Sequence, residues 1–305
     1  MMGAILAMLF FATSSVTAKQ SVQRLGSSAA NLYRLLLATT LLGICAHGWG
    51  VGFRGPSLSW FLLSGIIGYG VCDTALFLAL PRLGARLTSL MVQCLAAPVA
   101  AITEWLWLDT HLGLRQIGSS LLILVGVAIA LIPDQPSAMP SPVSLSRSQR
   151  RMALALAVVA AIGQALGAVI SRHGQFLSMK AGFPIDPFSV SYQRIVAGAL
   201  FGVIWSWIQS SRSSSPPVRP NPRLHRVPTI VWVVLNGVSG PFLGVACYQW
   251  ALRHQPTGVV LSITSLTPLA VIPLARWIDG ESASRRSVWG GCLAVGGVLA
   301  LTIKR

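Results

Sequence analysis

Two stretches decide the fold: Gly65-Ile66-Ile67-Gly68, which runs on through apolar sequence to Ala79-Leu80, and Gly237-Val238-Ser239-Gly240, which runs on to Ala251-Leu252. Positions 65, 68, 79 and 80 return as 237, 240, 251 and 252, so one constant offset relates all four landmarks. Farther along, Pro98 and then Gly118 meet Pro268 and Gly290 in the same order and nearly the same register. Upstream, Phe11-Ala12 with Lys19 corresponds to Gln164-Ala165 with Arg172, and Tyr33-Arg34 corresponds to Gln193-Arg194. Solenoid repeats have periods of about 20–50 residues. The offsets here are several times longer and equal about half the chain, the mark of a duplicated half-protein.

Composition names the solvent of both halves. Hydrophobic residues make up 53% of the chain and charged residues 10%, with a mean hydropathy of +0.68. Soluble domains carry about 25% charged residues, so water is not the main solvent. A helix crossing a bilayer needs about 20 apolar residues. Ten segments meet that measure, near 2–18, 30–48, 58–80, 87–108, 116–133, 152–171, 188–208, 228–252, 257–275 and 287–303, five in each half. An open sheet would leave backbone groups unsatisfied in hydrocarbon. A barrel would alternate apolar and polar positions, which Leu121 to Ile132 does not do. The expected fold is therefore all-α and integral to the membrane: ten transmembrane helices in two five-helix repeats, 1–133 and 152–305, joined by a polar linker at 134–151. Five is odd, so the second repeat enters the bilayer from the opposite side and the repeats are inverted.

The net charge of +16 comes from basic residues scattered through short connections, and no nucleic-acid-binding signature accompanies them. They fit membrane topology instead, and nucleic acid is not an expected partner. Fourteen Lys/Arg fall in odd-numbered connections against seven in the even ones and the tail, which places the odd connections in the cytoplasm. Val16-Thr17-Ala18 has the small residues of a signal-cleavage site, but no basic region precedes it and its counterpart at 152–171 is internal, so it reads as the first helix. Cys45, Cys72, Cys94, Cys247 and Cys292 lie within apolar segments without paired spacing and read as core thiols, with no metal site or disulfide. A second polar stretch, Gln209 to Pro228, joins the seventh and eighth segments.

In its doubled order this pattern resembles the drug/metabolite transporter superfamily, EamA-like branch, with two EamA repeats. Each copy carries a basic residue ending the first helix (Lys19, Arg172), an Arg near the start of the second (Arg34, Arg194) and the Gly-x-x-Gly…Ala-Leu helix. A Pro in the fourth helix, an acidic residue after it and a Gly in the fifth complete the copy. Glu281 is the acidic residue of the second copy; Asp109 stands in its place in the first. Phe11-Ala12-Thr13-Ser14 occupies the middle of the first helix, where the family commonly has a tryptophan. The resemblance implies a secondary transporter that moves a small organic metabolite by alternating access. Cargo in such proteins ranges over amino acids, nucleotide sugars, purines and drugs. It also implies a multi-pass protein of the cell (inner) membrane, with a small-molecule substrate and the lipid bilayer as partners and proton coupling or exchange left open. No cofactor is implied.

The polar residues at membrane depth are the candidate site. Asp73 lies about two-thirds along the third segment, where a charge costs at least about 2.5 kcal/mol on insertion scales. It reads either as a coupling-proton or substrate-amine site, or as an ion pair locking the first three helices. Gln93, Gln164, Asn236, Tyr248, Gln249, Ser14 and Ser265 fit a substrate cavity, each also serving as interhelical glue. Lys19, Arg34, Arg172 and Arg194 read as helix-end anchors, or as groups that close a gate or hold an anionic group, and Glu104 as a gate or anchor whose side chain snorkels beside Trp105 and Trp107. Pro98 and Pro268 are expected to interrupt the fourth and ninth helices at matching depth, a pointer to transport sites. Phosphate-binding loops, nucleophile elbows and His-Glu-x-x-His are missing, so the chain reads as a transporter and not an enzyme. One rival, a lipid-directed membrane enzyme, has only Asp109/His111 and Asp279/Glu281 to draw on; another, a structural membrane partner without transport, sits badly with Asp73. Reporter tags placed before residue 1 and at residue 151 should emerge on opposite sides of the membrane; labelling of both from one side would refute the inverted arrangement.

Overall fold

The computed structural model describes residues 1–131, 146–210, 227–279 and 285–302, and among them there is no strand. The helices are α1 (Met2–Leu25), α2 (Ser27–Gly48), α3 (Leu58–Gly65), α4 (Cys72–Leu108), α5 (Leu114–Leu131), α6 (Arg147–Lys180), α7 (Pro187–Ser210), α8 (Thr229–Gly237), α9 (Val245–His254), α10 (Thr257–Thr264), α11 (Thr267–Asp279) and α12 (Arg285–Thr302). Seven stretches are long and apolar enough to cross a membrane: Met2–Val22, Ala29–Gly48, Leu58–Leu76, Met91–Leu108, Arg147–Lys180, Pro187–Trp205 and Thr229–His254. The three remaining sequence segments fall on shorter apolar helices, Leu114–Ala130, Thr257–Val271 and Trp289–Ala300.

Both decisive stretches take the same unusual backbone. Ile66–Val71 joins α3 to α4 as a π-helix, and Val238–Gly244 joins α8 to α9 as another. Their first residues, Ile66 and Val238, are equivalent under the offset of the sequence repeat. Glycines at 65, 68 and 70, and at 237, 240 and 244, weaken the backbone's preference for regular α winding, and Pro241 withholds an amide donor from the second copy. π turns are rare and gather at functional sites.

The chain forms two compact units that do not follow the halves of the sequence. One comprises Val71–Leu166 and Gln255–Arg305; the other comprises Met2–Gly70 and Gly167–His254. In the first, α5 packs along α12, and α10 packs on α4 and α5. A β-carbon at Gly126 would come 2.6 Å from the Ala294 nitrogen, and one at Gly297 would come 2.9 Å from the Ser119 carbonyl oxygen, so only glycine permits this approach. In the second unit, α1 packs on α8, α9 and the π stretch between them, α2 packs on α7 and α8, and α3 packs on α7. The interior is rich in Ala, Gly and Ser, whereas Leu9, Ile44, Ile102, Leu121 and Leu200 face outward. Small residues inside and large apolar ones outside suit helices that associate in lipid.

Three boundaries differ from the sequence reading. The connection expected at 81–86 is helical, because α4 runs unbroken through it. Pro81 has no amide hydrogen to give the Phe77 carbonyl, and the next carbonyl along, that of Leu78, accepts a hydrogen bond from the Arg82 guanidinium at 2.5 Å. α6 begins at Arg147, inside the expected linker. Ser146 and Gln149 form a reciprocal capping box there, with bonds of 3.2 and 3.0 Å. Most of the linker and of the polar stretch after Gln209 lies outside the described residues.

Pro98 is the third correction: α4 passes through it without interruption. Pro268 does mark a break, since α10 ends at Thr264 and α11 starts at Thr267. The difference lies in the neighbours. Ser262, Thr264, Ser265 and Thr267 each turn a hydroxyl back onto a carbonyl three or four residues earlier, at 2.6 to 3.2 Å. Such back-bonding bends helices. Pro98 sits among Leu, Ala and Val, which have no hydroxyl to offer.

Gly65→Val should destabilise the protein by roughly 1–3 kcal/mol, the usual cost of overpacking, since its side chain would press on the Arg194 carbonyl. Gly118→Ala, with open space around the added carbon, should lie within about 0.5 kcal/mol of the parent. Unfolding in detergent by denaturant titration compares the two.

Candidate functional site

The second unit contains the same contact twice, built by residues at the two repeat offsets. Ser64 Oγ donates to the Gly167 carbonyl at 2.5 Å, and Ser14 Oγ donates to Asn236 Oδ1 at 2.7 Å. The offset that carries Gly65 to Gly237 also carries Ser64 to Asn236, and the one that carries Phe11-Ala12 to Gln164-Ala165 carries Ser14 to Gly167. One residue on, the glycines meet an arginine backbone in both copies. A β-carbon at Gly65 would strike the Arg194 carbonyl, and one at Gly237 would sit 3.3 Å from the Arg34 carbonyl. The second glycines follow suit, Gly68 against Gly167 and Gly240 against Ser14. Each π stretch is thus flanked by a polar pair and by two glycines in close contact with a facing helix.

Other candidates in this unit surround that frame. Gln249 is fully buried, and its Oε1 accepts from Ser171 Oγ at 2.7 Å and from Gln175 Nε2 at 3.0 Å. Its Nε2 is buried with no hydrogen-bond partner among the described residues. Tyr248 is buried next to it, its ring 6.1 Å from that of Phe11. Arg34 is half-buried and donates from Nε to Asn31 Oδ1 at 2.8 Å. Arg172 is half-buried in α6, and Arg194 is buried with its guanidinium 5.5 Å from the Tyr69 ring centre. The Lys19 side chain and Glu281 lie outside the described residues.

The first unit holds the remaining candidates. Gln164 Nε2 donates to Gln93 Oε1 at 3.2 Å, so two residues singled out separately form one pair. Asp73 is half-buried in the first turn of α4. Its chain neighbours Cys72 and Ala75 pack with Val92 of α4 and Ala160 of α6. Ser265 is buried with its hydroxyl on the Ser262 carbonyl at 2.6 Å, at the break before Pro268.

Glu104 corrects the expectation of a snorkelling side chain. Trp105 and Trp107 do face outward, but Glu104 is only 1% exposed. Its carboxylate accepts from the Thr257 amide at 2.7 Å and from the Thr257 hydroxyl at 2.6 Å. It therefore supplies the acceptor that the first turn of α10 lacks, where a negative charge also meets the positive end of the helix dipole.

The family profile described as the EamA-like transporter family matches this chain twice, over residues 1–132 and 151–303. The chain belongs to the EamA-like transporter family. Such an assignment makes it a multi-pass membrane transporter of the drug/metabolite type, with two EamA repeats. A solved crystal structure superposes on this EamA-like chain with a TM-score of 0.74 at 18% identity, covering 99% of this chain and 95% of that one. That likeness concerns the fold alone. Comparison with curated proteins gives no match.

In this EamA-like protein the pairs offered for lipid chemistry gain little support. His111 Nε2 lies 3.1 Å from Asp109 Oδ1, but the two side chains are 70% and 92% exposed, a solvated surface pair. The Asp279 side chain lies outside the described residues. Ser64, Tyr69, Ser171 and Gln175 were absent from the sequence candidates. Ser64 had a signal, being the repeat counterpart of Asn236; the other three are visible only through what they touch. Glu104→Ala strands a buried amide and hydroxyl at Thr257 and should cost about 1–3 kcal/mol, while Glu104→Gln, which keeps an acceptor, should lose less. Thermal unfolding of the purified variants measures both.

Proposed function

We propose that this chain is a secondary active transporter, exporting or exchanging a small organic metabolite such as an amino acid, nucleoside-type compound or drug, by alternating access. The observation that carries the reading is the doubled π stretch with its polar clamp, Ser64 on Gly167 and Ser14 on Asn236. Secondary transporters commonly place interrupted helices at corresponding positions of two repeats, near the bilayer midplane. In this reading residues 1–133 and 152–305 are the two repeats, oppositely oriented in the cell membrane. A π stretch is a short segment with alternative hydrogen-bond register available on either side of it, which suits an element that changes shape during the cycle.

The buried amides and hydroxyls of Ser14, Asn236, Tyr248, Gln249 and Ser265, with the half-buried Gln93 and Gln164, supply neutral hydrogen-bonding groups. Asp73 is proposed to carry the coupling proton, with Lys19, Arg34, Arg172 and Arg194 as gates or anchors. Liposomes containing the purified chain should show saturable flux of at least one member of an amino-acid and nucleoside panel. Asp73→Asn should abolish its proton-driven part. Silence across broad panels would remove the transport reading, and an unchanged pH dependence in Asp73→Asn would remove that carboxylate from the mechanism.

A further inference from the structure

The repeat symmetry fails at one functional group, and the failure leaves a buried cation without an anion among the described residues. Arg34 and Arg194 occupy equivalent places, each lending its carbonyl to the first glycine of the opposing motif. Arg34 has a side-chain partner in Asn31, 2.8 Å from its Nε. At the matching position before Arg194 stands Ser191, whose hydroxyl is spent on the Pro187 carbonyl at 2.7 Å. Arg194 Nε is accordingly buried without a partner, in a side chain only 4% exposed. Among the described residues no carboxylate bonds to its guanidinium.

Nor does its own unit have one to give. Met2–Gly70 and Gly167–His254 contain twelve Lys/Arg and a single acidic residue, Asp186. Both Asp186 oxygens are in use: Oδ1 accepts from the Ser189 amide at 2.9 Å and Oδ2 accepts from the Val51 amide at 3.1 Å. Asp186 also stands a little over two helical turns before Arg194, about 12 Å along the axis. Meanwhile the surroundings of Arg194 are shaped for the guanidinium. The Tyr69 ring takes one face at 5.5 Å. Gly68 makes room at the edge, since a β-carbon there would come 3.1 Å from Nη2.

A planar guanidinium presents paired N–H donors that match the oxygens of a carboxylate or phosphate. We propose that Arg194 is an oxyanion-binding group, and that the transported solute carries a carboxylate or phosphate which docks on it. The binding stands on this geometry; its identification with cargo rests on the transport reading.

The test uses the full chain purified in detergent, with sodium formate and inorganic phosphate as probes at constant ionic strength. Either anion should raise the melting temperature saturably. Arg194→Gln should weaken the apparent affinity roughly tenfold or more, the loss expected for a charge-assisted hydrogen bond. Arg194→Lys, which keeps the charge without the fork, should weaken it several-fold and decides the matter if the glutamine variant does not fold. Arg150→Gln, at an exposed arginine outside the site, should keep the response. An unresponsive parent chain, an unchanged Arg194→Gln or an equal loss in Arg150→Gln would overturn the assignment. Repeating the titration in phosphatidylglycerol and phosphatidylcholine vesicles separates the sources. A response abolished only by phosphatidylglycerol would make a lipid headgroup the occupant and overturn the claim about cargo. Flux is not measured here, so failure of this proposal and failure of the transport reading remain distinct results.

Discussion

Helices in hydrocarbon gain nothing from hiding leucine from lipid, so they must approach closely enough for backbones and small polar groups to attract one another. In the unit that holds both Gly-x-x-Gly motifs, that approach is set where a glycine lies against an arginine carbonyl. Gly65 meets Arg194, and Gly237 meets Arg34. Everything nearby follows from these contacts. Ser64 and Asn236 reach their partners because the neighbouring glycine has brought the helices together, and the larger Tyr69, Phe201 and Leu37 fill the margins against Gly198, Gly70 and Gly237. The same rule governs α5 and α12 in the other unit, where Gly126, Gly290 and Gly297 face backbone atoms directly.

Polar side chains at depth fall into two kinds. Most hydroxyls turn back on their own helix, as at Thr17, Ser21, Thr39, Thr103 and Ser262, and so satisfy themselves locally. A smaller set reaches across helices: Ser14 to Asn236, Ser171 and Gln175 to Gln249, Gln164 to Gln93, and Thr257 to Glu104. The second kind fixes which helices are neighbours. Among the described residues it also leaves a few buried donors unfilled, the Gln249 and Arg194 nitrogens among them.

Hydropathy and repeat spacing carried most of this architecture, because a membrane-length apolar segment has few alternatives to a helix and a duplication betrays itself by offset. The π stretches were not legible as such; the motif located them, but winding depends on the backbones packed against it. Residues 81–86 looked like a connection because Pro and Gly usually end helices, and the sequence does not say that Arg82 bonds back to Leu78. Pro98 and Pro268 looked equivalent because a proline reads alike everywhere, whereas the outcome depended on four hydroxyls beside only one of them. Glu104 misled for a similar reason: two flanking tryptophans describe the outer face of α4, and one residue's rotation puts a carboxylate on the inner face. Capping at Ser146 was readable from Ser-x-x-Gln and was obscured by the polar run before it.

The wide turns also alter how the two long spans must be compared with other sequences. Each π segment holds one residue more than α winding requires, and an extra residue rotates all that follows by about 100° about the axis. Side chains that align before Ile66 or Val238 therefore fall out of phase after Val71 or Gly244. Any face drawn as a single stripe along either span joins residues from different sides of the helix. A relative lacking one residue in both places would keep its apolar profile intact, yet turn Asp73 and Tyr248 toward different neighbours.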